Sequence, residues 1–112
     1  MIWTGYFSGY KGDNGVAICL YKPYWFQGEQ YLPLAPTKRL LYWFRETNKG
    51  KDAQEIYCRL YKKYVLSKLD VHQVARALDG KVLLCYEKPG VFCHRHIVAE
   101  WLNENGYECK EI

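Results

Sequence analysis

The sequence predicts a single α/β domain spanning residues 1–112, with three layers and a mostly parallel sheet flanked by helices. Three observations lead there. The β-prone stretches Ile2–Phe7 and Val82–Tyr86 are each followed by a long connection that holds helices, which suits parallel pairing. Val16–Tyr21 (VAICLY) is almost continuously apolar, as a strand covered on both faces should be. Three later segments repeat apolar residues at helical spacing.

Taken in order, Ile2–Phe7 opens the sheet and ends in Ser8–Gly15, a loop with three glycines. Lys22–Ala35 holds two prolines, one glycine and four aromatic rings, which argues for an ordered loop acting as a wall or lid over a site. Pro36 suits a first helical turn, followed by the apolar stripe Leu40, Leu41 and Phe44. Asp52 with Glu55 reads as a capping box, and Ala53, Ile56, Tyr57, Leu60, Tyr61 and Tyr64 then share one face. Asp70 is an N-cap for a helix buried through Val71, Val74, Ala75 and Leu78, with Gly80 as its stop. The strand Val82–Tyr86, the loop Glu87–Phe92 and the helix Cys93–Asn105 follow, with Gly106 at the helix end. Tyr107–Ile112 forms a last short strand or a tail.

A formal charge of +4 suits an anionic ligand, while the scattered lysines and arginines lack the basic stripe of a duplex-DNA binder. No apolar run is long enough to cross a membrane. The start MIWTGYFSGYK has no basic leader or apolar core, which predicts a cytoplasmic location, or the host cytoplasm for a viral chain. Five irregularly spaced cysteines without an export signal predict no disulfide framework. Aromatic residues make up 17% and crowd the first third of the chain. They either fill the core or offer platforms on which a base stacks. A homodimer is expected if Trp25 and Phe26 stay exposed.

Reactive and charged groups concentrate in Val82–Leu102 (VLLCYEKPGVFCHRHIVAEWL). Ligands of parallel sheets bind beyond the carboxyl ends of the strands. That rim is expected to collect Tyr6, Phe7, Ser8 and Tyr10 after the first strand. Cys85, Glu87, Lys88, Cys93, His94 and Arg95 surround the later turn, with Trp25 as a further stacking ring. The helix starting near Cys93 presents free N–H groups to an anion, and Arg95 offers a planar charged fork. Helical geometry points Cys93 inward, sets His94 at the edge of the apolar face and turns Arg95 toward a flank. Glu87 and Lys88 sit beside the turn, where Glu87 either pairs with Arg95 or meets a ligand.

Two chemistries compete with simple binding. Cys93 at a helix N-terminus beside His94 and Arg95 is expected to have a depressed thiol pKa, so Cys93 as nucleophile and His94 as base form a catalytic alternative. The other alternative is a buried structural cysteine. A metal site is not expected: there is no close Cys-x-x-Cys pair, and His94 and His96, two apart on a helix, diverge. No cofactor is expected.

At Leu83-Leu84-Cys85-Tyr86-Glu87-Lys88 and Cys93-His94-Arg95-His96 through Trp101-Leu102, the sequence resembles the uncharacterised DUF 488 family, in particular its compact phage and bacterial members. Trp3-Thr4-Gly5-Tyr6-Phe7 resembles the family's opening strand with Gly5 in place of a serine. Leu34-Ala35-Pro36 and Leu66-Ser67-Lys68-Leu69-Asp70 also match it. The resemblance implies the α/β fold and a site at the cysteines, and names no activity. The resulting expectation is non-catalytic binding of an anionic nucleotide-derived molecule at residues 85–95; in a phage setting this would sequester a host immune signal nucleotide. A cysteine-dependent enzyme acting on a similar substrate is the alternative. Single-stranded nucleic-acid binding through exposed rings ranks last, since the charge is dispersed.

Overall fold

A computed structural model describes residues 1–112. Its strands are β1 (Ile2–Tyr6), β2 (Gly15–Ala17), β3 (Glu29–Gln30), β4 (Val82–Cys85) and β5 (Cys109–Glu111). They form one sheet in the order β3-β2-β4-β1-β5, and every pairing is parallel. The helices are α1 (Lys38–Arg45), α2 (Lys51–Tyr64), α3 (Val71–Leu78) and α4 (His94–Glu104). The ladder runs past the short β2, since Ile18 N donates to Leu84 O at 3.0 Å and Tyr31 N to Ala17 O at 2.8 Å. The chain is thus one α/β domain with a parallel sheet.

Period-two alternation divides the strand residues between two apolar clusters. Ile2, Val16, Ile18, Leu83 and Cys109 join a cluster of 17 buried residues that draws on all four helices. Ala17, Cys19, Val82 and Leu84 join Phe7 and Phe26 in a cluster of only 6 on the other face. A layer therefore covers each face, but the two differ in kind: helices on one, aromatic loop segments on the other. Lys22–Ala35 is split between the layers: Phe26 is buried in the second while Trp25 stays half exposed, Glu29–Gln30 form β3, and Leu34 joins the larger cluster. Only one of the two rings on which a homodimer rests is therefore available.

Local signals account for most helix ends. Thr37 accepts from Leu40 N at 3.1 Å and caps α1, so Pro36 lies before the helix and not in its first turn. Asp70 caps α3 through His72 N at 2.9 Å. Gly50 occupies the N-cap of α2, which moves Asp52 into the first turn and leaves no capping box. Gly106, at φ 88°, provides the left-handed exit after α4.

The strand order positions the site. From β2 the chain moves outward to β3, whereas from its neighbour β4 it crosses β1 by way of α4 to reach β5. Connections leaving adjacent strands in opposite directions open a crevice beyond their carboxyl ends. That crevice lies between β2 and β4, not at β1 where the sequence placed half of the rim.

Candidate functional site

β4 is buried along its whole length, and its last residue, Cys85, lies on the helix side with Leu83. The loop after it returns the chain to Cys93, the N-cap of α4, which makes no side-chain capping bond. Cys85 and Cys93 are joined as a disulfide with their Cα atoms 7.6 Å apart, while Cys19, Cys58 and Cys109 are free. The five cysteines predicted no disulfide framework, and the chain holds this single pair. Spacing could not reveal the pair, because it forms between a strand end and a helix start that meet only in the fold.

His94 lies deeper than the edge position its helical direction suggests. Its Nε2 sits 2.8 Å from the carbonyl oxygen of Ile18, and its ring packs on Tyr61 at 5.5 Å between centroids. A carbonyl can only accept, so Nε2 carries the proton and Nδ1 presents a bare lone pair. That lone pair lies 4.0 Å from Cys85 Sγ and 3.9 Å from Cys93 Sγ. Burial pushes the imidazole pKa down to about 4, against the smaller opposing effect of the Ile18 hydrogen bond. His94 is therefore neutral at pH 7.

Arg95 is fully buried, not flanking. Its Nε and Nη2 donate to Glu111 Oε1 and Oε2 at 3.1 and 2.8 Å, and Nη1 donates to Glu87 O at 2.6 Å. Thr4 Oγ1 adds a bond to Glu111 Oε1 at 2.5 Å. Burial pushes the Glu111 carboxyl up, and the bonds from Arg95 and Thr4 with the Arg95 charge outweigh it, so the net pKa is lowered. Parallel pairing of β5 with β1 brings Glu111 beneath the first turn of α4. Arg95 thus ties the loop after β4 to the C-terminal strand, and Glu87 contributes its carbonyl oxygen to that tie.

Above the disulfide lies a cavity of about 420 Å³. Cys85, Cys93 and His94 line its floor, and Glu87 also borders it. Its walls are Tyr21, Phe44, Tyr57, Tyr86 and Phe92, and its rim carries Arg45 and Lys49. Phe44, Tyr57 and Phe92 pack on one another with centroids 5.1–5.4 Å apart, which fixes that wall. Neither rim cation is in an ion pair with a carboxylate. Lys49 has φ 58°, the one non-glycine residue in the left-handed region.

Of the predicted site residues, Cys85, Glu87, Cys93 and His94 meet at this cavity, and Tyr6, Phe7, Ser8, Tyr10, Trp25, Lys88 and Arg95 do not line it. Phe7 packs on Trp25, Phe26 and Tyr86 within the loop layer. Tyr10 donates to Asn14 Oδ1 at 2.7 Å, and Ser8 and Lys88 are exposed. Sequence reasoning missed Phe44 and Arg45 at the end of α1, Lys49 in the α1–α2 connection and Tyr57 in α2, all of which line the cavity. A basic last turn in α1 followed by Thr47-Asn48-Lys49-Gly50 was the available signal.

A family model described as "Active DUF488-N3 subclade" matches residues 21–106. The chain belongs to the DUF488-N3a family. The match takes in most of the cavity: Tyr21, the α1–α2 connection, the disulfide and His94. Glu111, on which Arg95 closes, lies beyond it. No curated protein and no solved structure matches the chain. No helix is long and apolar enough to cross a membrane.

Proposed function

We propose that the cavity binds an anionic small molecule with a flat ring, a nucleotide or a nucleotide derivative, at the carboxyl ends of β2 and β4. The observation that carries this reading is the pairing of an aromatic-walled cavity with two cations free of carboxylate partners on its rim. Its volume falls within the range of roughly 300–1,000 Å³ usual for small-molecule sites. The rings offer stacking faces, and Arg45 and Lys49 offer charge to phosphate. A left-handed Lys49 followed by Gly50 adds support, because residues held in sparsely populated conformations cluster at ligand sites. In a phage setting the same binding would withdraw a host signal nucleotide, in the cytoplasm where that nucleotide acts.

Isothermal calorimetry against cyclic and ADP-ribose-type nucleotides tests the reading. Binding at micromolar levels is expected, and Arg45→Ala or Lys49→Ala should each weaken it on the order of tenfold, about 1.4 kcal/mol. Absence of binding across the panel would sink the proposal.

A second reading, a cysteine-dependent enzyme, draws on the bare Nδ1 of His94 beside Cys93 Sγ and on the word "active" in the family description. With the disulfide reduced by a dithiol, the Cys93 sulfur would bond to an electrophilic carbon of the nucleotide as that carbon's bond to its leaving group breaks. His94 would take the thiol proton and pass it to the leaving group. Turnover of a bound nucleotide by the reduced protein, lost in Cys93→Ser, would favour the enzyme. Binding with the nucleotide recovered intact would favour the simple binder. Single-stranded nucleic acid fits less well, because the exposed Tyr24 and Trp25 do not line the cavity that carries the two cations.

A further inference from the structure

We infer that Cys85, Cys93 and His94, in the dithiol state, form a binding site for a borderline-soft divalent cation, with zinc the best fit. One ligand atom from each residue lies within 4.8 Å of the other two, and all three residues are buried. The objection raised by the sequence concerned His94 with His96, and His96 is not part of this group. The three donors come from a strand end, a helix N-cap and the first helical residue, so they converge without relying on neighbours along one helix.

Four observations support the assignment. The donor set of two sulfurs and one imidazole nitrogen suits zinc. Tetrahedral zinc, with bonds of about 2.3 Å to sulfur and about 2.0 Å to nitrogen, sets sulfur and nitrogen roughly 3.6 Å apart. The distances of 3.9 and 4.0 Å from Nδ1 to the sulfurs of Cys93 and Cys85 are within a few tenths of that. Next, His94 already has the outer partner typical of a metal-bound histidine, since Nε2–H is committed to the Ile18 carbonyl and Nδ1 is left to coordinate. Third, Arg95 Nη1 lies 3.7 Å from Cys85 Sγ, a permanent cation beside a sulfur that must be anionic as a ligand. Last, the Cα separation of 7.6 Å exceeds the usual disulfide span of about 4.4–6.8 Å, and two sulfurs sharing an ion reach further apart than two sulfurs sharing a bond.

The chemistry balances. Two thiols each lose a proton to solvent, two metal–sulfur bonds form, and neutral His94 donates its lone pair without losing a proton. The disulfide is the competing state of the same sulfurs, reached from the dithiol by loss of two electrons and two protons. Metal binding therefore first requires a dithiol reductant. Three protein donors leave a fourth position, the arrangement of zinc sites that accept water or substrate. Since the three residues floor the cavity, that position faces it. The site stands whether or not the cavity takes a nucleotide.

The test uses the whole chain, reduced with a dithiol, freed of reductant under argon and titrated with zinc or cobalt. One ion per chain is expected, with two protons released, sulfur-to-cobalt charge-transfer bands and tetrahedral visible bands. Zinc should protect Cys85 and Cys93 from alkylation, mapped by mass spectrometry, and leave Cys58 reactive. His94→Asn and Cys85→Ser should lower affinity at least a hundredfold, and His96→Asn should leave it unchanged. The alkylation map needs no variant, so misfolding of a variant does not blunt the test. No binding by the reduced chain at tenfold excess metal, or an ion that protects Cys19, Cys58 or Cys109 instead of the pair, would overturn the assignment.

Discussion

Glu111→Ala is the most informative single change, because it removes the carboxylate on which Arg95 depends. The guanidinium is 0% exposed and would lose bonds of 3.1 and 2.8 Å, keeping only the Glu87 carbonyl as a close oxygen acceptor. Removing one member of a buried ion pair typically costs about 3–5 kcal/mol. The Glu111 side chain is 27% exposed, so water entering the vacated space would hydrate part of the guanidinium, and the low end, about 3 kcal/mol, applies. With a urea m-value of about 1.5 kcal/mol/M, the unfolding midpoint should fall by about 2 M. Glu108→Ala in the exposed Lys110–Glu108 pair, just before and within the same strand, should move stability by less than about 0.5 kcal/mol. The double variant Arg95→Met with Glu111→Leu should recover most of the loss, since it leaves no charge buried alone. A midpoint shift below about 0.5 M for Glu111→Ala would refute the reasoning, as would a double variant no more stable than the single.

Acid should reveal His94. Its pKa is lowered from 6.5 to about 4, so the stability it contributes is fully present above pH 6.5 and is lost as the pH falls from there through about 4. At about 1.4 kcal/mol per pH unit the loss approaches ~3 kcal/mol, read as urea midpoints between pH 7 and pH 4. His94→Asn should remove that part of the slope and leave the more acidic part, where protonation of Glu111 releases Arg95; a wild-type profile flat down to pH 4.5 contradicts this picture. Tyr61→Phe deletes the donor to the Leu34 carbonyl, 2.5 Å away in the core, and should cost about 1–2 kcal/mol by chemical denaturation. An unchanged midpoint would show that this carbonyl finds another donor.

The elements that were legible in the sequence are those specified by neighbours along the chain. Asp70, Val74, Ala75 and Leu78 define α3 by a cap and a periodicity, and the structure reproduces it. Val82–Cys85 reads as a covered strand because all four residues are apolar, and all four are buried. Strand order is a different kind of information. Tyr6–Tyr10 and Tyr21 both follow apolar strands, and nothing local distinguishes which of them borders the turn at Cys85. Insertion of β4 between β2 and β1, with the chains leaving β2 and β4 in opposite directions, makes that choice and brings in Arg45 from the end of α1 and Lys49 from the α1–α2 connection.

Arg95 shows the limit most clearly. Helical geometry gives a side chain's direction about its own axis, and that direction becomes a location only when the layer beneath is known. Had the last six residues been a tail, the flank of α4 would face water and Arg95 could reach an external anion. Because Cys109–Glu111 pairs with β1, the same flank faces Glu111 and Thr4, and the guanidinium becomes internal. Its two links to the site run through residues that line it: Nη1 holds the Glu87 carbonyl at 2.6 Å and stands 3.7 Å from the Cys85 sulfur. The residue read as a ligand clamp is therefore an internal ion-pair partner, and through it the C-terminal strand, outside the matched family segment, reaches the cysteine pair within it.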